Sequence, residues 1–269
     1  MAGTSQINAN GISINYLIEG DGPLVTLSHS LACDLSMWDE QAQALTAHGY
    51  RVLRFDTRGH GNTRAPEGEY TLEQLAQDLQ GLLTGLGVTQ THFAGLSMGG
   101  MIGQVFALKY PGVFQSLVLC DTASRFPPEA APLWRGRIDI ARSKGMEALV
   151  IPTLERWFTA PFREANTAVV SRIAKSIRDT PVAGYCGCCA AIPAINVTDQ
   201  LHNIKCPVLV ICGEQDPGTP VAMAREIHAA IPGSELCLLP QAAHLSNLEQ
   251  PDKFNAALLG FLDKVANKA

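Results

Sequence analysis

The 269-residue chain is 46% hydrophobic and 17% charged, which is typical of a globular protein with one large domain, or with a core and an inserted cap. Its net charge of -5, without any cluster of basic residues, argues against nucleic-acid binding by neutralisation of phosphates. Residues 1–6 lack the basic and apolar regions of a signal peptide, and no apolar run approaches the ~18 residues of a membrane helix, so we expect a cytoplasmic protein without a membrane partner.

Strand and helix patterns alternate over the first half of the chain. The alternating run 12–18, preceded by the turn Asn10-Gly11, predicts an N-terminal hairpin. The continuously apolar run 24–28 predicts a strand inside a parallel sheet, and further strands are predicted at 51–55, 91–94 and 116–120. Helices are predicted over 38–47, 71–83 and 98–109. This alternation indicates an α/β fold, in which helices flank a mostly parallel central sheet.

The alternation stops between residues 125 and 200, where prolines separate short helical pieces and no buried strand pattern occurs. It resumes with strands predicted at 207–212 and 235–239 and helices at 220–231 and 251–265. We therefore predict a helical cap over residues 125–200, inserted into an α/β core formed by residues 1–124 and 201–269.

A Gly-x-Ser-x-Gly motif, residues 95–99, lies between a predicted strand and a predicted helix. A serine on such a sharp turn is lifted clear of the sheet, and the flanking glycines avoid collisions that a Cβ would cause. The motif alone is a weak signal, because a glycine-rich turn with an incidental serine has the same pattern. Ser97 is a candidate nucleophile only if the chain also supplies an acid and a base.

Two later loops supply these groups. Asp216 follows the strand that ends at Cys212, and His244 follows the strand that ends at Leu239. The order serine, aspartate, histidine, each just beyond a strand, is that of an α/β-hydrolase catalytic triad. The imidazole takes the serine proton, and the carboxylate orients the imidazole and stabilises its charged form. Asp121, which directly follows the strand 116–120, is an alternative acid.

The backbone N–H groups of Met98 and Leu31 are the candidate oxyanion hole. The first follows the nucleophile, and the second lies in the loop after the first buried strand.

The eight cysteines do not have zinc-site spacing. Neither a phosphate-binding glycine loop nor a dinucleotide fingerprint is present, so we expect no cofactor and no metal.

With these motifs the chain resembles the α/β-hydrolase superfamily from end to end. It resembles more closely the 3-oxoadipate enol-lactonases of the β-ketoadipate pathway, which belongs to aromatic-compound catabolism. The matching stretches are 29–38, 56–61, 95–103, 156–159, 188–192 and 243–251. The resemblance implies a serine hydrolase that cleaves an enol-lactone, an activated ester, through an acyl-enzyme on Ser97 that is released by water activated by His244.

The resemblance also implies a free carboxylate on the substrate, which a planar guanidinium beneath the cap would bind best. The sequence does not rank the candidates for this anchor, Arg125, Arg135, Arg137 and Arg156. The tryptophans Trp38, Trp134 and Trp157 are candidates for the pocket wall, although core packing is the commoner role of tryptophan.

The chain departs from the family at 194–198, where charged residues are expected, and its 213–216 loop is generic. Three alternatives therefore stay open: a general carboxylesterase with possible perhydrolase activity, a C–C bond hydrolase of aromatic degradation, and a ligand-binding protein without catalysis. The sequence does not indicate whether the protein is a monomer or a homo-oligomer.

Overall fold

The computed structural model describes residues 3–267. At its centre is an eight-stranded sheet with the order β1-β2-β4-β3-β5-β6-β7-β8. The strands are β1 (Ser5–Ala9), β2 (Ile12–Glu19), β3 (Leu24–Ser28), β4 (Arg51–Phe55), β5 (Thr91–Leu96), β6 (Phe114–Cys120), β7 (Val208–Gly213) and β8 (Glu235–Leu239). β1 and β2 are antiparallel to their neighbours, and the other strands run parallel. The predicted α/β class is confirmed.

Helices connect the strands both before and after the segment 125–200, and further helices form that segment. They are α1 (Asp39–Ala47), α2 (Leu72–Gly85), α3 (Met98–Lys109), α4 (Ala130–Lys144), α5 (Glu147–Trp157), α6 (Ala160–Ala165), α7 (Thr167–Asp179), α8 (Val182–Ala191), α9 (Val221–Ala230), α10 (Ser246–Glu249) and α11 (Pro251–Ala266). Short 3₁₀ helices cover Leu35–Trp38, Ile192–Ala194 and Thr198–Asn203. Helix α1 packs on α11, and α2 packs on α3.

The middle of the sheet is buried on both faces. All six residues of β5 and all six of β7 are buried, and β7 is accordingly apolar along its length rather than alternating. Phe114 of β6 stacks between two aromatic rings, with centroids 4.6 Å from Phe93 and 4.5 Å from Phe106 of α3. This packing anchors α3, the helix that follows the Gly-x-Ser-x-Gly motif, to the sheet.

Between β6 and β7 the chain forms α4 to α8 and, within residues 3–267, adds no strand to the sheet. Its two ends meet in an isolated bridge between Arg125 and Asn196. This is the segment for which the sequence predicts a cap. Pro152 does not end a helical piece as expected but lies inside α5.

None of the helices in residues 3–267 combines the length and the apolar character that crossing a membrane would require.

Candidate active site

Ser97 occupies the one-residue turn between β5 and α3, with a left-handed φ of 56° and a ψ of -115°. Such a conformation costs a non-glycine residue about 1–3 kcal/mol, so the surroundings must hold it in place. The Ser97 N–H donates to the Cys120 carbonyl (2.8 Å), and the Thr122 hydroxyl donates to the Ser97 carbonyl (2.7 Å). β6 and the loop after it therefore fix both ends of the strained residue.

The glycines on either side of Ser97 are required by close backbone approach. A Cβ at Gly95 would lie 2.3 Å from the Gly99 carbonyl oxygen, and a Cβ at Gly99 would lie 2.2 Å from the Ser28 carbonyl oxygen. Both contacts are far shorter than any real carbon–oxygen contact. The close approach of α3 to β5 depends on Gly95, and that of α3 to β3 depends on Gly99.

The structure brings Ser97, His244 and Asp216 together in one hydrogen-bonded chain. His244 Nε2 lies 2.9 Å from Ser97 Oγ, and His244 Nδ1 lies 2.7 Å from an oxygen of Asp216. Because the carboxylate accepts, Nδ1 carries the proton and Nε2 is free to accept from the serine hydroxyl. All three side chains are buried. This arrangement can activate a serine for attack on a carbonyl.

Asp216 is surrounded by donors as well as by His244. It accepts from Gly218 N–H (2.7 Å), from Thr219 N–H (3.1 Å) and from the Thr219 hydroxyl (2.7 Å). Burial opposes the charge of Asp216, but His244 and the Thr219 donors hold its pKa below the usual value. The carboxylate therefore stays ionised and can stabilise a charged imidazole.

The alternative acid, Asp121, bonds to different groups. Its two oxygens pair with Gly213 N–H (2.7 Å) and with the Ser246 hydroxyl (2.5 Å), whereas His244 Nδ1 pairs with Asp216. Complete burial, followed by the nearby charge of Asp216, raises the pKa of Asp121 well above its usual value. By accepting from Gly213 N–H and from the Ser246 hydroxyl, Asp121 joins the loops that carry Asp216 and His244.

The candidate oxyanion hole lies between the loop after β3 and the first turn of α3. Met98 is the first residue of α3, so its N–H has no acceptor within the helix. The N–H of Leu31 has no acceptor among residues 3–267, whereas the next N–H, that of Ala32, donates to His60 Nε2 (2.9 Å). Leu31 also lines the cavity in front of Ser97. Both N–H groups are therefore available for a developing negative charge.

Two buried imidazoles hold this loop, and sequence reasoning missed their role. His29 Nδ1 bonds to the Ser30 carbonyl (2.7 Å), and its Nε2 accepts from Thr57 N–H (2.9 Å). His60 accepts from Ala32, which has a left-handed φ of 56°, so its Nε2 must be unprotonated. Burial and the neighbouring His29 lower the pKa of His60 from 6.5 to about 3. The position of each histidine in a loop that follows a predicted strand is the signal that could have identified them.

A cavity of about 410 Å³ opens in front of the serine. Ser97 and His244 form one part of its wall, and Leu31 lies beside them. The segment 125–200 contributes much of the rest, including Phe126, Trp134, Arg137, Arg156, Trp157 and Tyr185. The residues that precede and begin α9, among them Thr219 and Met223, close another side.

Four of the seven candidate substrate-contacting residues line this cavity, namely Trp134, Arg137, Arg156 and Trp157. The other three candidates do not line the cavity, and the structure corrects the prediction for them. Trp38 is completely buried and packs against Phe254 of α11, at 6.0 Å between ring centroids. Arg125 is half-exposed and forms an ion pair with Glu226. Arg135 is exposed, because its neighbours 134 and 137 occupy the inner face of α4.

The two cavity arginines carry positive charge that no acidic side chain of the cavity wall balances. Among the described residues that line the cavity there is neither Asp nor Glu. The Arg137 guanidinium lies 4.2 Å from the centroid of the Trp134 ring, and Arg156 donates to the Thr153 hydroxyl at 3.3 Å. Burial, and then the charge of Arg137, lowers the pKa of Arg156. Such a pair of cations favours an anionic group between or beside them.

The donor atoms of Asp121, Cys212 and Asp216 lie within 4.8 Å of one another, a spacing that could hold a metal ion. The carboxylate oxygens, however, already accept from the backbone, from hydroxyl groups and from His244. Binding a metal there would take Asp216 from the imidazole. The hydrogen bonds within the described residues thus already use the carboxylate oxygens of Asp121 and Asp216.

Comparison with known proteins places this geometry in a family. A family model described as the alpha/beta hydrolase fold matches residues 23–251. 3-Oxoadipate enol-lactonase 2 of Acinetobacter baylyi is 37% identical over 254 residues, which cover 94% of each chain. The structure of the enol-lactonase from Burkholderia xenovorans is 39% identical with a TM-score of 0.92, covering 96% of this chain and 100% of that one. A thermophilic esterase from Thermogutta terrifontis, solved with malate bound, is 30% identical with a TM-score of 0.92, covering 98% and 99%.

Proposed function

The chain belongs to the α/β-hydrolase family and acts on small esters or lactones, and we propose that its substrate is 3-oxoadipate enol-lactone. The observation that carries this proposal is the cavity itself, where a serine–histidine–aspartate chain faces two arginines without an acidic partner. An enol-lactone with a free carboxylate offers a reactive carbonyl to the serine and an anion to the arginines. The enol-lactonases among the relatives support the same choice.

In the proposed mechanism, Ser97 Oγ attacks the lactone carbonyl while its proton passes to His244 Nε2. Asp216 stabilises the imidazolium, and the N–H groups of Leu31 and Met98 stabilise the oxyanion. Each such N–H contributes roughly 2.7–4 kcal/mol to transition-state stability in other enzymes. Opening of the ring releases a resonance-stabilised enolate, which takes the proton from His244 and tautomerises to the ketone. Water activated by His244 then hydrolyses the acyl-enzyme.

Arg137 and Arg156 are the proposed carboxylate anchors, and Trp134 and Trp157 the proposed aromatic walls. Stacking on Trp134 restricts the Arg137 side chain, so less rotamer entropy is lost when it binds an anion. Arg156 is partly desolvated, which strengthens its attraction for a carboxylate.

A general carboxylesterase is the second candidate. The observation in its favour is the apolar character of much of the cavity wall, which includes Phe126, Leu133 and Met223. A similar esterase supports it as well. Such a wall accepts acyl chains that carry no charge.

One comparison tests both candidates: kcat/KM of the purified protein on 3-oxoadipate enol-lactone and on p-nitrophenyl acetate, with Ser97→Ala as the control. Strong preference for the enol-lactone supports the first proposal. Equal or better turnover of the simple ester contradicts it and supports the general esterase. Persistence of both activities in Ser97→Ala would show that Ser97 is not the nucleophile.

A further inference from the structure

The residues immediately before and after His244 are held by groups outside the Ser97–His244–Asp216 chain. The N–H of Ala243 donates to Glu249 Oε2 at 2.5 Å, and the N–H of Leu245 donates to the Trp157 carbonyl at 3.1 Å. The Trp157 ring also stacks on the imidazole, with centroids 6.3 Å apart and planes inclined by 29°. The backbone that presents His244 is therefore fixed on both sides.

Glu249 extends this support to the segment between α5 and α6. Its second oxygen, Oε1, accepts from the N–H of Thr159 (2.9 Å) and from the Thr159 hydroxyl (2.8 Å). Thr159 and Trp157 belong to the predicted cap, whereas Ala243 and Glu249 belong to the predicted core. One carboxylate thus joins the cap to the loop of the histidine across 90 positions of the chain.

The surroundings of Glu249 show that this carboxylate is dedicated to these donors. The residue is 6% exposed. Within residues 3–267, no ion pair is formed by Glu249 with a lysine, arginine or histidine. A buried carboxylate without an ion-pair partner is costly, and hydrogen bonds to its oxygens have to offset that cost. The Ala243 and Thr159 donors supply those bonds.

We propose that Glu249 is a positioning residue that ties the cap segment 157–159 to the loop of His244, so that the orientation of the imidazole depends on the cap. The proposal rests on the proposed role of His244 as the base. It follows that the cap contributes to the proton transfer itself as well as to substrate binding. A displacement of about 1 Å at a reacting group can cost about 10²-fold in rate.

The test uses three variants of the full chain and p-nitrophenyl acetate as substrate. Glu249→Gln keeps the shape but leaves either Ala243 or Thr159 without its acceptor, and we expect kcat to fall about 10- to 100-fold with KM within about twofold. Thr159→Val removes the hydroxyl bond to Glu249 together with the N-cap bond that Phe162 N–H donates to the same hydroxyl (3.4 Å), and it should lower kcat about 3- to 10-fold. Thr159→Ser restores that hydroxyl and should recover the parent kcat.

A spectroscopic readout separates positioning from folding. The proton between His244 Nδ1 and Asp216 should give a low-field NMR resonance in the parent protein, and it should broaden or shift in Glu249→Gln and Thr159→Val but not in Thr159→Ser. Gln250→Ala is the matched control, because it removes a neighbouring bond to Gln241 (3.2 Å) without touching Ala243 or Thr159.

Folded Glu249→Gln and Thr159→Val with unchanged kcat and an unchanged resonance would overturn the proposal. Equal losses in Thr159→Ser and Thr159→Val would also overturn it. If Glu249→Gln does not fold, the comparison of Thr159→Val with Thr159→Ser still tests the proposal. A simple ester is used so that a wrong lactone assignment does not affect the result, and activity of Ser97→Ala would identify a failure of the proposed mechanism instead.

Discussion

At the residue scale, the hydrogen bond from His244 Nδ1 to Asp216 distinguishes the predicted acid from its alternative, Asp121. Asp121 and Asp216 each follow a strand of the same sheet edge, and both are buried. Their donors differ: Asp216 faces the imidazole and the Thr219 hydroxyl, whereas Asp121 faces Gly213 and the Ser246 hydroxyl.

Asp216→Asn should therefore lower kcat by about 10⁴-fold, because the amide would favour the wrong imidazole tautomer. Asp121→Asn preserves an acceptor for Gly213 N–H, so its kcat should fall far less than that of Asp216→Asn. Steady-state kinetics on p-nitrophenyl acetate, together with thermal unfolding of each variant, would check this. The reverse ranking of the two variants would make Asp121 the acid.

The two cavity arginines lead to a second prediction at this scale. Arg156→Met should lower kcat/KM for the anionic enol-lactone about 10- to 100-fold, since a hydrogen bond to a charged group is worth about 1.5–3 kcal/mol. Its kcat/KM for p-nitrophenyl acetate, which has no carboxylate, should change little. Arg135→Met is the matched control, because Arg135 is exposed on the same segment. Equal losses on both substrates would show that Arg156 supports the fold rather than the substrate.

At the scale of elements, the contact between β3 and α3 depends on Gly99. A methyl group there would meet the Ser28 and His29 carbonyl oxygens, both of which are backbone atoms that cannot move independently of β3. The expected consequence is a displaced α3, and with it a displaced Met98 N–H.

Gly99→Ala should therefore lower both Tm and kcat, with a loss of roughly 2–4 kcal/mol in the free energy of unfolding from overpacking and strain. Gly136→Ala, inside α4, is the control, because a Cβ there meets nothing within 4 Å. It should be neutral or stabilising by up to ~1 kcal/mol. Urea unfolding of both variants measures the difference, and a Gly99→Ala protein as stable as its parent would contradict the close-approach argument.

At the scale of the whole molecule, buried titratable groups give the folding free energy a pH dependence with opposing contributions. His60 has a folded pKa near 3, below its unfolded value of 6.5, so its contribution to stability is complete above pH 6.5 and is lost as the pH falls towards 3. Asp121 has a raised folded pKa, so it contributes in the opposite sense and stabilises the fold as the pH falls towards its unfolded pKa.

His60→Gln should remove the first contribution while leaving an oxygen to accept from Ala32. Between pH 6 and pH 4, the free energy of unfolding of the parent should therefore fall more steeply than that of the variant, by about 1.4 kcal/mol per pH unit. Urea titrations at several pH values measure both slopes. His202→Gln, at an exposed position, is the control. Parallel slopes for the parent and His60→Gln would contradict a neutral, buried His60.

The sequence by itself determined the α/β class, the strands and the longer helices outside residues 125–200, because hydrophobic period and turn residues are local properties of the chain. It also determined the order of Ser97, Asp216 and His244, since each follows a strand whose end meets the same edge of a parallel sheet. Their catalytic roles stay predictions until the variants are measured.

Only the tertiary structure decided which cap residues reach the cavity and what holds the active-site loops. Arg137 and Arg135 have the same chemistry and lie on the same helix, and the packing of α4 alone separates them. The hydrogen bonds that Ala32 donates to His60 and that Thr159 donates to Glu249 join positions 28 and 90 residues apart, a proximity that no local pattern encodes. Long-range contacts of this kind arise when the whole chain packs, and they set the geometry on which the proposed chemistry depends.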